Sequence, residues 1–309
     1  MPRGARQPAP ASFRREAGVI RIVTGRHNAS LKLVRKLQKK KYQSERNCFV
    51  GEGWDVFESA LSAGVRPLEL LVREDLRHRL PPDVMSAAET GALDIVICPP
   101  DILAEASLLG GSADVIAVFG ERLASLRDWD MAAGVTLYLY GVGDPGNVGT
   151  LIRSAMVFGA AGVACSPRTA DPFGPRALRA GMGAHFSVPV ATEVEPDDLV
   201  AYVEGRASKG EEVPLLLLAD PRGQITIREA AARLAAVEAP EEKPVSGRPT
   251  GRGVLVVLGS ERGELPHLNG WPGEAAVPVA VPQVRFDSLN VAMAGTIFLY
   301  ELAVSAQCA

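Results

Sequence analysis

The sequence predicts an α/β protein of two units, the larger one built on a mostly parallel sheet, and three observations lead there. The chain has 309 residues, more than most single domains hold. From residue 135 onward, short apolar runs alternate with helical patterns, as in a parallel sheet covered on both faces. Hydrophobic residues make up 47% and charged residues 22%, ordinary globular proportions with ample material for a core.

In chain order, residues 1–17 (MPRGARQPAPASFRREA) read as a disordered basic tail. Arg14-Arg15 suggests a twin-arginine signal, but no apolar segment follows it. Residues 18–125 read as a small α/β unit. Its strands are Leu70–Val72, Ile95–Cys98 and Val115–Phe119, and its helices lie near 30–41, 53–63 and 101–107. Residues 126–134, within LASLRDWDMAAG, read as a linker. The second unit, 135–309, is expected to hold strands at 135–142, 162–165, 214–219, 254–258 and 277–281. Its helices are expected at 148–159, 174–182, 197–206, 227–236 and 288–304. The polar, Pro- and Gly-rich stretch 238–252 reads as a flexible surface loop.

Composition excludes several classes. Cys48, Cys98, Cys165 and Cys308 are far apart and form no CxxC pair, so they read as reduced thiols in a cytoplasmic protein. His27, His78, His185 and His267 show no metal-ligand spacing, and no metal site is expected. No run of about 18 apolar residues occurs, so no membrane span is expected.

Net charge is −3, so any nucleic-acid surface must be local. Residues 26–46 concentrate eight basic side chains, Arg26, Lys32, Arg35, Lys36, Lys39, Lys40, Lys41 and Arg46, against the single Glu45. Ser30 is placed to cap a helix at 31–41, with Leu33, Val34 and Leu37 as its buried stripe. Lys32, Lys36 and Lys40 then repeat every four residues on another face. Two readings stay open: a phosphate-contacting surface that gains affinity by counterion release, or a solvated helix face.

Three strand-end loops carry candidate chemistry, because ligands of open α/β sheets bind at the carboxyl ends of strands. The first, GVGDPGNVGTLIRSA (141–155), opens a helix; Asn147 is a natural N-cap, and Gly149 and Arg153 share a face. Gly141, Gly143 and Gly146 also match a dinucleotide-binding G-x-G-x-x-G. Pro145 removes a backbone donor from that loop, and the acidic ribose ligand about 20 residues on is missing. An NAD-dependent oxidoreductase is therefore the weaker reading. The second loop, LGSERGELP (258–266), offers exposed backbone groups around Gly259 and Gly263. The third, VPQVRFDSLNVAMAGTIFLYELA (281–303), puts Ser288 and Asn290 at the head of a helix that is apolar nearly all round. Taken singly, the first loop also reads as a capped helix carrying a surface arginine, the second is only a strand-end glycine turn, and capping alone explains the third.

Together the loops resemble the three signature motifs of the SpoU (TrmH-type) RNA ribose methyltransferases. Asp144, Pro145, Asn147, Gly149 and Arg153 stand for the first motif, and Gly259, Ser260 and Glu261 for the second. Val281, Pro282, Ser288, Leu289, Asn290, Val291 and Ala292 stand for the third. Order and spacing fit over roughly 135–305. Residues 25–60, with GEGWDVFESAL, resemble the family's substrate-binding module, an α/β unit like certain ribosomal proteins. Two departures stand out: Arg262 and Glu264 replace glycines common in the second motif, and the third is one residue short between Pro282 and Ser288.

The resemblance implies a C-terminal trefoil knot, a homodimer and S-adenosylmethionine as cofactor. It implies cofactor contacts at Leu258, Gly259, Val281, Ser288, Leu289 and Asn290, and a catalytic cluster of Asn147, Arg153, Glu261, Ser288 and Asn290. Arg26, Lys32, Arg35, Lys36, Lys39 and Lys40 would then bind RNA, with ribosomal RNA, the large subunit's above all, favoured over transfer RNA. Two alternatives stay open: a transfer-RNA ribose methyltransferase, and a non-catalytic RNA-binding protein that keeps the fold.

Overall fold

A computed structural model describes residues 20–23, 25–111, 113–121, 123–237, 252–260, 265–272, 274–285 and 289–308. The tail 1–17 lies outside them, as does 238–252 apart from Arg252. The chain divides into two compact units, Met1–Arg122 with Phe173–Gly183, and Leu123–Pro172 with Ala184–Ala309.

The first unit runs β1 (Ile20–Ile22), α1 (Ala29–Lys36), α2 (Lys40–Arg46), β2 (Cys48–Glu52), α3 (Trp54–Ser62), β3 (Glu69–Arg73), α4 (Pro82–Glu89), β4 (Asp94–Cys98), α5 (Pro100–Ala104) and β5 (Val115–Gly120). Its sheet has the order β1-β4-β3-β5-β2, with β5 antiparallel to both neighbours. Leu31, Val34 and Leu37 pack with Val50, Leu71, Val96 and Ile116.

The expected helix at 30–41 is two helices. The chain turns at Leu37, whose carbonyl accepts from the Gln43 side chain at 2.7 Å, and this breaks the Lys32–Lys36–Lys40 stripe. The buried stripe is Leu31, Val34 and Leu37, with Leu33 only partly covered. Asn28, not Ser30, is the cap: its side chain accepts from the Ser30 N–H at 2.7 Å. Ser30 is buried instead and donates to Glu69.

The second unit contains β6 (Val135–Tyr140), α6 (Pro145–Val157), β7 (Gly162–Cys165), β8 (Val190–Ala191), α8 (Pro196–Ala207), β9 (Leu215–Ala219), β10 (Ile225–Thr226), α9 (Ile227–Val237), β11 (Val254–Gly259), β12 (Val277–Ala280) and α10 (Val291–Cys308). Between β7 and β8 lies α7 (Pro175–Ala180), which belongs to the first unit. The strands form one wholly parallel sheet in the order β10-β12-β9-β11-β6-β7-β8. On one face Tyr138, Leu216, Leu255 and Val257 pack with Leu199 of α8. Elsewhere α10 packs on α6, α9 and β11.

Two expected boundaries shift. Residues 173–183 leave the second unit because α7 packs on β2, Phe173 lies 5.1 Å from Phe49 by ring centroids, and Ser59 donates to the Gly183 carbonyl at 2.9 Å. Residues 126–134 are no linker. Trp129 and Met131 are buried in the second core, and Trp129 donates to the Thr136 hydroxyl at 3.2 Å. Its indole occupies the space a side chain at Gly162 would need, 2.5 Å from an added Cβ.

His185, in the single turn Ala184–Phe186, is buried, and burial pushes its pKa down to about 3 against the opposing pull of the Pro172 carbonyl. The folded chain keeps this imidazole neutral, whereas the unfolded chain protonates it near 6.5. Its contribution to stability is whole above that pH and is lost as pH falls toward the folded value. By pH 5 the loss amounts to about 2 kcal/mol. Urea unfolding between pH 7 and 4.5 should show this acid limb, and His185→Gln should flatten it. An equally steep limb in the variant would assign the acid sensitivity elsewhere.

Candidate active site

All strands of the second sheet run the same way, so the loops after β6, β11 and β12 emerge on one edge. Gly259 pairs with Tyr140 in the ladder, and the Ser260 N–H donates to the Tyr140 carbonyl at 3.1 Å. The first and second motif loops therefore leave adjacent strand ends.

After β6 the chain turns at Gly141, whose φ of +67° favours glycine. Asp144, rather than Asn147, caps α6: its side chain accepts from the Asn147 N–H at 2.9 Å, and Pro145 takes the first helical position, which needs no donor. Capping by Asp144 leaves the Asn147 side chain available. Its Oδ1 accepts from Asn290 Nδ2 at 3.1 Å.

Asn290 in turn caps α10. Its Oδ1 accepts from the N–H groups of Ala292 at 2.9 Å and Met293 at 3.3 Å. These bonds fix which end of the Asn290 amide faces Asn147. The Nδ2 group of Asn147 then has no partner among the described residues, so its two N–H donors remain for a bound molecule.

Arg153 lies farther along α6, exposed, with no hydrogen bond or ion pair among the described residues. Gly149 is buried on the same helix. Val281 is half-buried and Leu289 is 36% exposed; neither enters a backbone hydrogen bond among the described residues. The Leu258 side chain is buried, so only its backbone can face a ligand. Glu261 and Ser288 lie outside the described residues.

The contact between α10 and α6 holds the third loop against the first, and the residues that make it were not singled out in the sequence. An added Cβ at Gly295 would lie 2.3 Å from Leu151 Cδ2 and 2.7 Å from Leu258 Cδ1. Beside it, the Ser154 and Thr296 hydroxyls share a hydrogen bond of 2.7 Å. A lone glycine inside an apolar helix was the available signal, since such glycines mark close approach.

In the first unit, Lys32, Lys36 and Lys39 are exposed and unpaired among the described residues, and Lys40 is exposed. Arg26 and Arg35 are partly neutralised, lying 3.0 and 3.6 Å from Glu105. The free positive charge is thus narrower than the run of eight residues implied. Among the described residues, no group of three or more His, Cys, Asp or Glu could hold a metal ion, and no helix is long and apolar enough to cross a membrane.

Known proteins resemble this arrangement. The chain is 31% identical over 189 residues, 60% of its length and 69% of the relative's, to the Bacillus subtilis 23S rRNA (guanosine(2553)-2'-O)-methyltransferase RlmP. Identity is 27% over 259 residues, 82% of this chain and 77% of the other, to a Streptomyces viridochromogenes 23S rRNA (uridine(2479)-2'-O)-methyltransferase. An AdoMet-bound rRNA methyltransferase structure from Sinorhizobium meliloti matches with a TM-score of 0.71 at 25% identity, over 92% of this chain and 97% of that one. The family model of the SpoU rRNA methylases matches residues 134–300, the stretch that holds the motif residues of all three loops. More than half of the chain is thereby accounted for, and it belongs to the SpoU rRNA methylase family.

Proposed function

We propose that the protein is an S-adenosylmethionine-dependent methyltransferase that modifies a ribose 2′-hydroxyl of ribosomal RNA, specifically that of the large subunit. The observation that carries this reading is the Asn290–Asn147 hydrogen bond, which ties the first and third loops together at the carboxyl edge of the sheet. Both relatives above are named as 2′-O-methyltransferases of large-subunit RNA, which favours that substrate over transfer RNA.

The residues fit the cofactor. Backbone groups at Val281 and Leu289 make no backbone hydrogen bonds among the described residues, and both side chains are apolar and at least partly exposed, as contact with a purine requires. When bound, S-adenosylmethionine supplies an activated methyl group to an oxygen aligned with its S–CH3 bond. The chain's part is to place that oxygen and favour its charged form. The planar guanidinium of Arg153 acts as an electrostatic anchor: it holds the neighbouring phosphate and stabilises developing alkoxide charge. The free Nδ2 of Asn147 donates to a substrate oxygen. On their motif positions alone, Glu261 is assigned the orienting of Arg153 and Ser288 a place in the same cluster.

The first unit selects the RNA, with Lys32, Lys36, Lys39 and Lys40 on phosphates. Replacing Lys32, Lys36 and Lys39 together by glutamine should weaken RNA binding and lower the salt dependence of log K by about 2. An unchanged slope in a filter-binding titration would return these lysines to a solvated face.

The second unit is knotted. This reading is supported by the passage of β12 to the far side of β9 and the return of α10 across β11 and α6. The working form is a homodimer, acting in the cytoplasm. Met156 and Val157 on α6, with Met293 and Tyr300 on α10, leave an apolar surface that a second copy would cover. Sedimentation equilibrium should give two chains per particle, and a monomer at all concentrations would remove the dimer.

The activity is tested by incubating the protein and tritiated S-adenosylmethionine with ribosomal and transfer RNA. Label is expected in large-subunit RNA. Label confined to transfer RNA would change the substrate, and none in either, with cofactor binding confirmed by calorimetry, would favour the non-catalytic RNA-binding protein.

A further inference from the structure

The carboxyl edge of the second sheet carries a cation that the scheme above does not use. Arg168 lies in the loop after β7, and that loop is fastened to the end of β6. The Ser166 N–H donates to the Leu139 carbonyl at 3.0 Å, and the Ala170 N–H donates to the Val142 carbonyl at 2.9 Å. The Thr169 hydroxyl donates to the Leu139 carbonyl at 2.6 Å, and the Ser166 hydroxyl accepts from the Gly141 N–H at 3.0 Å. The first motif loop and the Arg168 loop therefore brace one another.

The Arg168 side chain is held as well. It donates to the Tyr140 hydroxyl at 2.8 Å, and its guanidinium carbon stands 5.4 Å from the centroid of that ring. Tyr140 is also the residue whose carbonyl receives the Ser260 N–H. Arg168 is exposed and has no carboxylate partner among the described residues. An exposed arginine ordinarily samples many rotamers or pairs with an acid. Here a neutral hydroxyl and an aromatic face position it without cancelling its charge. One of its five donors is used on the phenol, and the remaining fork matches a phosphate.

We propose that Arg168, held by Tyr140, binds a backbone phosphate of the RNA substrate at the carboxyl edge of β6 and β7, in addition to any contact made by Arg153. The inference rests on RNA being the substrate. Sheet order favours phosphate over the carboxylate of the cofactor. The residues assigned to the cofactor end β11, follow β12 or precede α10, and β11 and β12 lie on one side of β6, whereas Arg168 follows β7 on the other.

The test uses the full chain and an unmodified in vitro transcript of large-subunit ribosomal RNA, with binding measured across a potassium chloride series. Cofactor affinity is measured by calorimetry and folding by thermal melts. Arg168→Ala is expected to weaken RNA binding about 5- to 10-fold and to lower the salt slope by about 0.7–0.9, the share of one phosphate contact. Arg168→Lys keeps the charge and should keep the slope with weaker binding. Tyr140→Phe removes only the positioning bond, so the slope should hold while affinity falls a few-fold. Cofactor affinity should stay within about twofold throughout. Unchanged RNA affinity and slope in Arg168→Ala overturn the proposal, as does a loss confined to cofactor affinity. Wild-type protein that binds the transcript without methylating it overturns the assigned reaction alone, and the slope change at Arg168 would still support this contact. Failure of the wild type to bind RNA overturns both.

Discussion

Replacing Arg153 by alanine should lower turnover by about 10²–10³-fold while leaving affinity for S-adenosylmethionine within about twofold, since losing one preorganised charge-stabilising group costs on that order. The expectation follows from where the side chain sits. Arg153 is exposed on α6 and is bonded to nothing among the described residues, so its removal opens no cavity and strands no buried partner. Thermal stability should be unchanged. Lysine should recover little, because a point charge lacks the planar fork that grips a phosphate while facing a developing alkoxide. Single-turnover methyl transfer and calorimetric cofactor titration separate the two effects. A parallel fall in cofactor affinity would mean that Arg153 holds the cofactor rather than the substrate.

Gly295→Val should unfold the second unit more easily by about 2–3 kcal/mol and weaken cofactor binding and turnover together. Intrinsic propensity argues the other way, since a side chain in place of glycine stabilises an exposed helix interior by up to about 1 kcal/mol. Sterics win here. The added Cβ would fall 2.3 Å from Leu151 Cδ2 and 2.7 Å from Leu258 Cδ1, and both leucines are fully buried, so turning them away would displace other core side chains. The strain is relieved by moving α10 off α6. That movement pulls Asn290 from Asn147 and disturbs Leu289. Urea unfolding and cofactor titration check both consequences, with Gly295→Ala expected to show the same effects at smaller size. A valine variant as stable as the wild type would show that the helices need no close approach there.

These two positions show how unevenly the site was legible. Arg153, Asn147 and Asn290 stood out because each sits at a strand-end loop or the helix it opens, with residue types that bind anions or cap helices. Gly295 did not, because its importance lies in two leucines, Leu151 and Leu258, that both precede it by more than thirty residues. The capping assignment failed for a related reason. Asp144 and Asn147 are both good N-caps by type; Pro145 at the first helical position goes with Asp144 as the cap, and the Asn147 side chain is engaged by Asn290, 143 residues distant. Serine at position 30 misled in the same way, since its hydroxyl is claimed by Glu69 across the first unit.

The fold shows the same division. The central strands of the second sheet are continuous apolar runs buried on both faces, and β7 was expected at its observed bounds. The short strands β8 and β10, of two residues each, carry too little pattern to be seen. The place of α7 depends on Phe173 meeting Phe49, which no local periodicity encodes. Trp129 lay in a stretch that looked like a connection, yet it fills the space beside Gly162 and makes that stretch part of the core.

The assigned reaction is tested most directly by the position of the transferred methyl group. Labelled large-subunit RNA is hydrolysed in alkali, which needs a free 2′-hydroxyl to cleave the following phosphodiester. The site described above predicts label in alkali-resistant dinucleotides, since a 2′-O-methyl group blocks that cleavage. Label recovered only in single nucleotides would place the methyl on a base and contradict the assigned chemistry.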